Sequence, residues 1–220
     1  DYIDGGGGDD VLTSANTGTT AATIIGGEGA DTIESADVAD YISAGTGDDS
    51  VTAGAGDDTV LGGEGADTIA AGAGGDDLTG GAGDDYFELG TNLTVTDTIS
   101  GGDDSDTIEV TETTNFDATT AETGIALNIS GVDAIIADHD AADVTITVDD
   151  LFVASSDSDA ITIDAKTNET NTLKVNAAVD GSLYTVTVGG TETAIELENT
   201  AANYVTLGDV DATDAEVGIA

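Results

Sequence analysis

The chain has 220 residues, enough for one or two domains, and sets 46 acidic residues against 2 basic ones for a formal charge of -44. Such a surface repels nucleic acid and anionic membranes and makes cations the natural partners; a solubilising acidic surface of the salt-adapted kind is the competing source of the charge. Cys, Met, Trp and Pro are absent, which excludes disulfides and thiolate metal sites, and no apolar run of about 18 residues suggests a membrane span.

Asp1-Tyr2-Ile3-Asp4 reads as the end of a nine-residue unit whose glycine loop is missing. With neither an initiator Met nor an apolar leader, the sequence is expected to be a piece of a longer protein. Gly5-Gly6-Gly7-Gly8-Asp9-Asp10-Val11-Leu12-Thr13 is a complete unit of the form Gly-Gly-x-Gly-x-Asp-x-U-x, with U a large apolar residue. A polar insertion, residues 14–22, interrupts it. From Gly26 to Glu88 seven consecutive nonapeptides begin at Gly26, Ser35, Ala44, Ala53, Gly62, Ala71 and Gly80. Their sixth position is always Asp: Asp31, Asp40, Asp49, Asp58, Asp67, Asp76 and Asp85. Their eighth is always apolar: Ile33, Ile42, Val51, Val60, Ile69, Leu78 and Phe87. Asp97-Thr98-Ile99-Ser100 is then a unit end without its loop. Residues 101–109 keep two glycines, Asp106 and Ile108, with Asp104 where the fourth-position Gly belongs. After Val110 the spacing dissolves.

Glycines at the first, second and fourth positions open backbone angles closed to other residues, so that carbonyl oxygens can turn towards one point. The sixth-position Asp adds a hard anionic oxygen. Ca²⁺ takes six to eight such oxygens at about 2.3–2.6 Å in tolerant geometry. The x-U-x tripeptide is a short strand with one inward side chain per unit. Two nonapeptides complete a turn, so Asp31, Asp49, Asp67 and Asp85 line one edge and Asp40, Asp58 and Asp76 the other. The candidate Ca²⁺ ligands are these aspartates with Asp10, together with the loop glycines Gly27, Gly29, Gly45, Gly47, Gly54, Gly56, Gly63, Gly65, Gly72, Gly74, Gly81 and Gly83. Asp40, Asp97 and Asp106 are weaker candidates because glycines are missing from their loops. Stacked aspartates repel each other, so the array is expected to fold only with several bound ions.

Residues 5–13 and 26–109 resemble the RTX (repeats-in-toxin) nonapeptide array, a calcium-binding parallel β-roll. The resemblance implies export in an unfolded state by type I secretion and folding outside the cell, where calcium is abundant. Its members include toxins, proteases, lipases, adhesins and surface-layer proteins.

The second half is a different text, and the domain reading is 1–109 for the roll and 110–220 for a further β-rich region. Short Thr-, Val- and Ile-rich runs predict strands at 107–110, 126–129, 144–148, 161–163, 172–175, 184–188, 194–197 and 204–207. The fold class is therefore all-β. A degenerate parallel solenoid is favoured for 110–220, and an antiparallel sandwich is the alternative, suggested by a hairpin-like Val188-Gly189-Gly190-Thr191.

No catalytic constellation is legible, and the chain is read as a non-enzyme. His139, the only histidine, sits in the polar stretch Ala137-Asp138-His139-Asp140 and reads as a solvated loop residue rather than a metal ligand. There is no His-Glu-x-x-His zinc motif, no Gly-x-Ser-x-Gly elbow and no phosphate loop with its Lys. Asn92, Asn128 and Asn168 stand in Asn-x-Ser/Thr triplets, which a Thr-rich chain produces by chance. The leading expectation is a calcium-dependent structural protein of the bacterial exterior, a surface-layer, filament or matrix subunit that self-associates. The alternatives are a calcium-stiffened segment of a large adhesin and the secretion module of a toxin or hydrolase; a cell-surface glycan is a further candidate partner.

Overall fold

The computed structural model describes residues 1–14, 19–90, 92–94, 96–110, 114–116, 129–137, 145–148, 160–165, 171–176, 185–189, 193–198 and 217–219. The chain forms two compact units, Asp1–Ile108 and Glu109–Ala220. Every described element is a β-strand.

In the first unit the nonapeptides feed two parallel sheets in turn. One takes β1 (Tyr2–Gly7), β3 (Thr23–Glu28), β5 (Tyr41–Thr46), β7 (Thr59–Glu64), β9 (Asp77–Ala82) and β11 (Thr98–Asp103), in that order. The other takes β2 (Val11–Thr13), β4 (Thr32–Glu34), β6 (Ser50–Thr52), β8 (Thr68–Ala70), β10 (Tyr86–Gly90) and β12 (Thr107–Val110). Each coil gives one strand to each sheet, and equivalent residues pair across coils: Ile24 with Ile42, Ile42 with Val60, Val60 with Leu78, and Leu78 with Ile99. The opposite sheet stacks Ile33, Val51, Ile69 and Phe87 in the same way. All of these side chains are buried.

Two expectations need correction. The tripeptide strand is right for β2, β4, β6 and β8, but strands of the first sheet run six residues, through the Gly-Gly pair of the following unit. There is also more than one inward residue per nine. A strand's side chains alternate, so the sixth, eighth and following first positions share a face. Accordingly Asp49, Val51 and Ala53 are all buried, as are Asp40, Ile42 and Ala44. Small first-position residues let the two sheets approach, and the large eighth-position residues fill the space. Phe87 is the largest fully buried side chain among the described residues. Phe87→Ala is expected to cost about 3–5 kcal/mol in urea melts at saturating calcium, with no loss of bound ions at saturation.

In the second unit β13 (Thr114–Phe116), β16 (Thr145–Val148), β18 (Asn171–Asn176), β20 (Thr193–Glu198) and β21 (Val217–Ile219) form one parallel sheet. The strands β15 (Ala134–Ala137), β17 (Ala160–Ala165) and β19 (Thr185–Gly189) are parallel in another, and β14 (Ile129–Ser130) is a further short strand. Successive strands from β15 to β20 alternate between the two sheets, which is the winding of a parallel solenoid. The sandwich alternative and its hairpin at Val188–Thr191 are overturned, because β19 and β20 lie in different sheets. Of the strands predicted at 144–148, 161–163, 172–175, 184–188 and 194–197, all the described residues are in strands, with residues 144 and 184 outside them. The one predicted at 204–207, most of that at 126–129, and His139 lie outside the described residues.

Candidate calcium sites

Loops leading from the first sheet to the second form edge I, where Asp10, Asp31, Asp49, Asp67, Asp85 and Asp106 stack. Loops returning to the first sheet form edge II, with Asp40, Asp58, Asp76 and Asp97. Strand alternation turns these carboxylates inward to the margin of the core, and from Asp31 to Asp106 none of them is more than 4% exposed.

From Asp31 to Asp106, one oxygen of each carboxylate accepts from a backbone N–H. The N–H of Asp31 donates to Oδ1 of Asp49 at 2.7 Å, that of Asp49 to Asp67 at 2.9 Å, and that of Asp67 to Asp85 at 2.9 Å. Asp10 to Asp31 at 2.8 Å and Asp85 to Asp106 at 2.9 Å extend this ladder. Edge II repeats it from Asp40 to Asp58 at 2.7 Å, Asp58 to Asp76 at 2.9 Å, and Asp76 to Asp97 at 2.9 Å.

The second oxygen is the informative one. Oδ2 of Asp10, Asp31, Asp49, Asp58, Asp67 and Asp85 is buried with no hydrogen-bond donor from the protein. Burying an ionised carboxylate without a partner is costly, and pairing or metal coordination is the usual remedy. The unit that carries them contains no Lys or Arg of its own to pair with them. Carbonyl oxygens converge on the same place. A side-chain carbon on Gly62 would come within 2.7 Å of the Gly80 oxygen and closer still to Asp67 Oδ2. At Gly26 it would meet Asp31 Oδ2 and the Ala44 oxygen, and at Gly80, Asp85 Oδ2 and the Gly101 oxygen. At Gly26, Gly62 and Gly80 an anionic oxygen and a backbone carbonyl of the next coil thus gather around a glycine. This hard-oxygen set fits Ca²⁺. No cluster of three or more His, Cys, Asp or Glu that could hold a metal occurs among the described residues, so the remaining donors to an ion would be backbone carbonyls.

The electrostatics agree. Burial pushes the Asp67 carboxyl up to about 7, partly offset by the Asp49 N–H, with the neighbouring carboxylates Asp85, Asp49 and Asp48 adding to the rise. Burial likewise raises Asp58 and Asp85 to about 6, and lifts Asp49 and Asp76 above the ordinary range.

The loops lacking glycines solve the problem differently. Oδ2 of Asp40 accepts from the Ser35 hydroxyl, and Oδ2 of Asp97 accepts from the Thr94 N–H at 2.6 Å. Protein donors stand there in the place a cation takes elsewhere. Sequence reasoning missed Ser35 and Thr94, although Ser at a first position otherwise held by Gly or Ala was a visible signal. Ser35→Ala is expected to lower stability by about 1–3 kcal/mol in thermal melts at saturating calcium. Asp106 keeps the ladder although its loop lacks the fourth-position Gly, because Asp104 itself adopts φ 76°, the left-handed region Asp tolerates better than most residues.

Stacked parallel coils with a buried carboxylate and carbonyls in successive gaps define a calcium-binding β-roll. The family profile of the RTX calcium-binding nonapeptide repeat (4 copies) matches residues 1–16, 17–37, 23–42, 34–69, 61–91 and 96–110. Residues 1–91 and 96–110 are thus RTX calcium-binding repeats; such repeats bind Ca²⁺ and are typical of secreted, extracellular proteins. No curated protein and no solved structure matches it. Among the described residues no helix is long and apolar enough to cross a membrane.

Proposed function

We propose that this chain is a calcium-dependent structural subunit or segment of a bacterial surface layer, filament or matrix, in which Ca²⁺ drives both folding and assembly. The observation that carries the reading is the row of buried carboxylate oxygens without donors in a unit that has no Lys or Arg. At neutral pH such a unit closes only around external cations, and binding free energy released only in the folded state is folding free energy. Exposed acids such as Glu28 and Asp103 on edge I support assembly. Two such surfaces repel each other until a divalent ion lies between them. The role is structural, not catalytic, and the leading partner is a second copy.

A calcium titration followed together by circular dichroism and light scattering tests this. A coil-to-β transition with rising particle mass is the expected result. A transition at constant mass would overturn the assembly role and favour an adhesin segment or a secretion module.

A further inference from the structure

The outer positions of the edge I loops alternate. In coil order the fifth position reads Asp9, Ala30, Asp48, Ala66, Asp84 and Ser105, while the third reads Gly7, Glu28, Thr46, Glu64, Ala82 and Asp103. Each of these loops carries an acid at one of the two positions and a neutral residue at the other. Separation of like charges accounts for the absence of stacked acids at either position. It does not account for what the fifth-position acids do.

Each fifth-position Asp reaches forward across the gap to the next coil. Oδ1 of Asp9 accepts from the Ala30 N–H at 3.0 Å, that of Asp48 from Ala66 at 3.0 Å, and that of Asp84 from Ser105 at 3.0 Å. Edge II has one equivalent, Asp57 with the Gly75 N–H at 3.0 Å. On edge I the first gap, the third and the fifth are thus bridged by an additional carboxylate, and the second and fourth are not. The third gap also holds the Asp49 and Asp67 carboxylates, whose Oδ2 atoms are buried and lack a donor.

We infer that Asp9, Asp48 and Asp84 raise the calcium affinity of the gaps they cross, so that edge I carries tight sites in alternate gaps and weaker sites between them. The inference rests on the reading that the gaps hold Ca²⁺. Calcium affinity follows the charge count of a site, and an added carboxylate beside a divalent ion is attractive at any dielectric. These aspartates are exposed, so salt weakens the effect without abolishing it. Loading then proceeds in two stages: pairs of coils close first, and the unbridged gaps join the pairs.

The test is isothermal calorimetry of the full chain with CaCl₂ at low ionic strength, on the wild type and three variants. Asp48→Asn keeps an oxygen for the Ala66 N–H and removes the charge; Asp48→Ala removes both. Glu64→Gln removes an exposed acid of the same edge at the third position. The wild type should resolve two classes of site. Both Asp48 variants should move one ion from the tight to the weak class, a loss of roughly three- to tenfold, while Glu64→Gln leaves the tight class intact. A single class in the wild type would overturn the inference. So would wild-type behaviour of Asp48→Asn, or an equal loss in Glu64→Gln. Absence of any calcium binding would instead refute the calcium reading itself.

Discussion

Stripping calcium from the chain at pH 7 will abolish the β-sheet dichroism of the first unit, and acidifying the calcium-free protein to about pH 4 will restore part of it. The first half of this expectation follows from the donorless oxygens of Asp31, Asp49, Asp58, Asp67 and Asp85. Ionised, buried and stacked, they have no Lys or Arg in their own unit to pair with. The second half follows from the direction of their titration. Asp67 is raised to about 7 and Asp58 and Asp85 to about 6, against an ordinary 3.8. A group that binds its proton more tightly in the folded state stabilises that state below its unfolded pKa and loses the contribution as pH rises through its folded pKa. The calcium-free roll is therefore most stable near pH 4 and weakens across roughly pH 4 to 7. Calcium reverses the sign, because the ion requires the deprotonated carboxylate. Binding releases protons, and affinity climbs with pH over the same window. Dichroism of calcium-stripped protein from pH 4 to 7 checks both halves, and a fully folded calcium-free roll at pH 7 would refute them.

Gly63→Ala will raise the calcium needed for folding and lower stability at saturation, whereas Gly7→Ala will be close to neutral. Gly63 has φ 127°, and an added Cβ would overlap the Gly45 carbonyl. Holding a non-glycine residue at such angles costs about 1–3 kcal/mol, and forcing the coils apart adds about 1–3 kcal/mol. Coil spacing is also what brings the Gly80 oxygen towards Asp67 Oδ2, so the penalty acts on metal binding as well as on backbone strain. Gly7 is the control: its nearest neighbour to an added Cβ is the Glu28 Cβ at 3.9 Å, and its φ is not left-handed. Urea melts at saturating calcium, paired with calcium midpoints by dichroism, separate the two variants. Equal behaviour would mean that coil spacing does not set the sites.

The period, the inward eighth position and the two rows of aspartates were legible because a strand's alternation and a fixed repeat length leave little freedom. The six-residue strands were not, because Gly-Gly is a loop signal locally and becomes strand only when the coil above supplies its partners. The first position escaped notice for a related reason. Its Gly or Ala carries no hydrophobic signature, although Ala44 and Ala53 are wholly buried. The glycine count set Asp40, Asp97 and Asp106 apart as weaker sites without showing what stands in for the missing glycines. Sequence shows the missing Gly but not that Ser35 and Thr94 donate in a cation's place, or that Asp104 assumes the glycine's angle. In the second half, strand positions were readable from Thr, Val and Ile runs, while their pairing was not. A Gly-Gly between two strands reads as a hairpin until the sheets they enter are known.

Coil length varies only on one side. Steps of 18 residues along the ladder become 21 between Asp10 and Asp31 and between Asp76 and Asp97, yet the bonds stay at 2.8 and 2.9 Å. The longer connections run from β2 to β3 and from β10 to β11, while edge I runs unbroken from Asp10 to Asp106. The roll thus has an invariant spine and an open margin. Foreign segments can be spliced into the margin, by evolution or in the laboratory, while the spine continues to set length and stiffness.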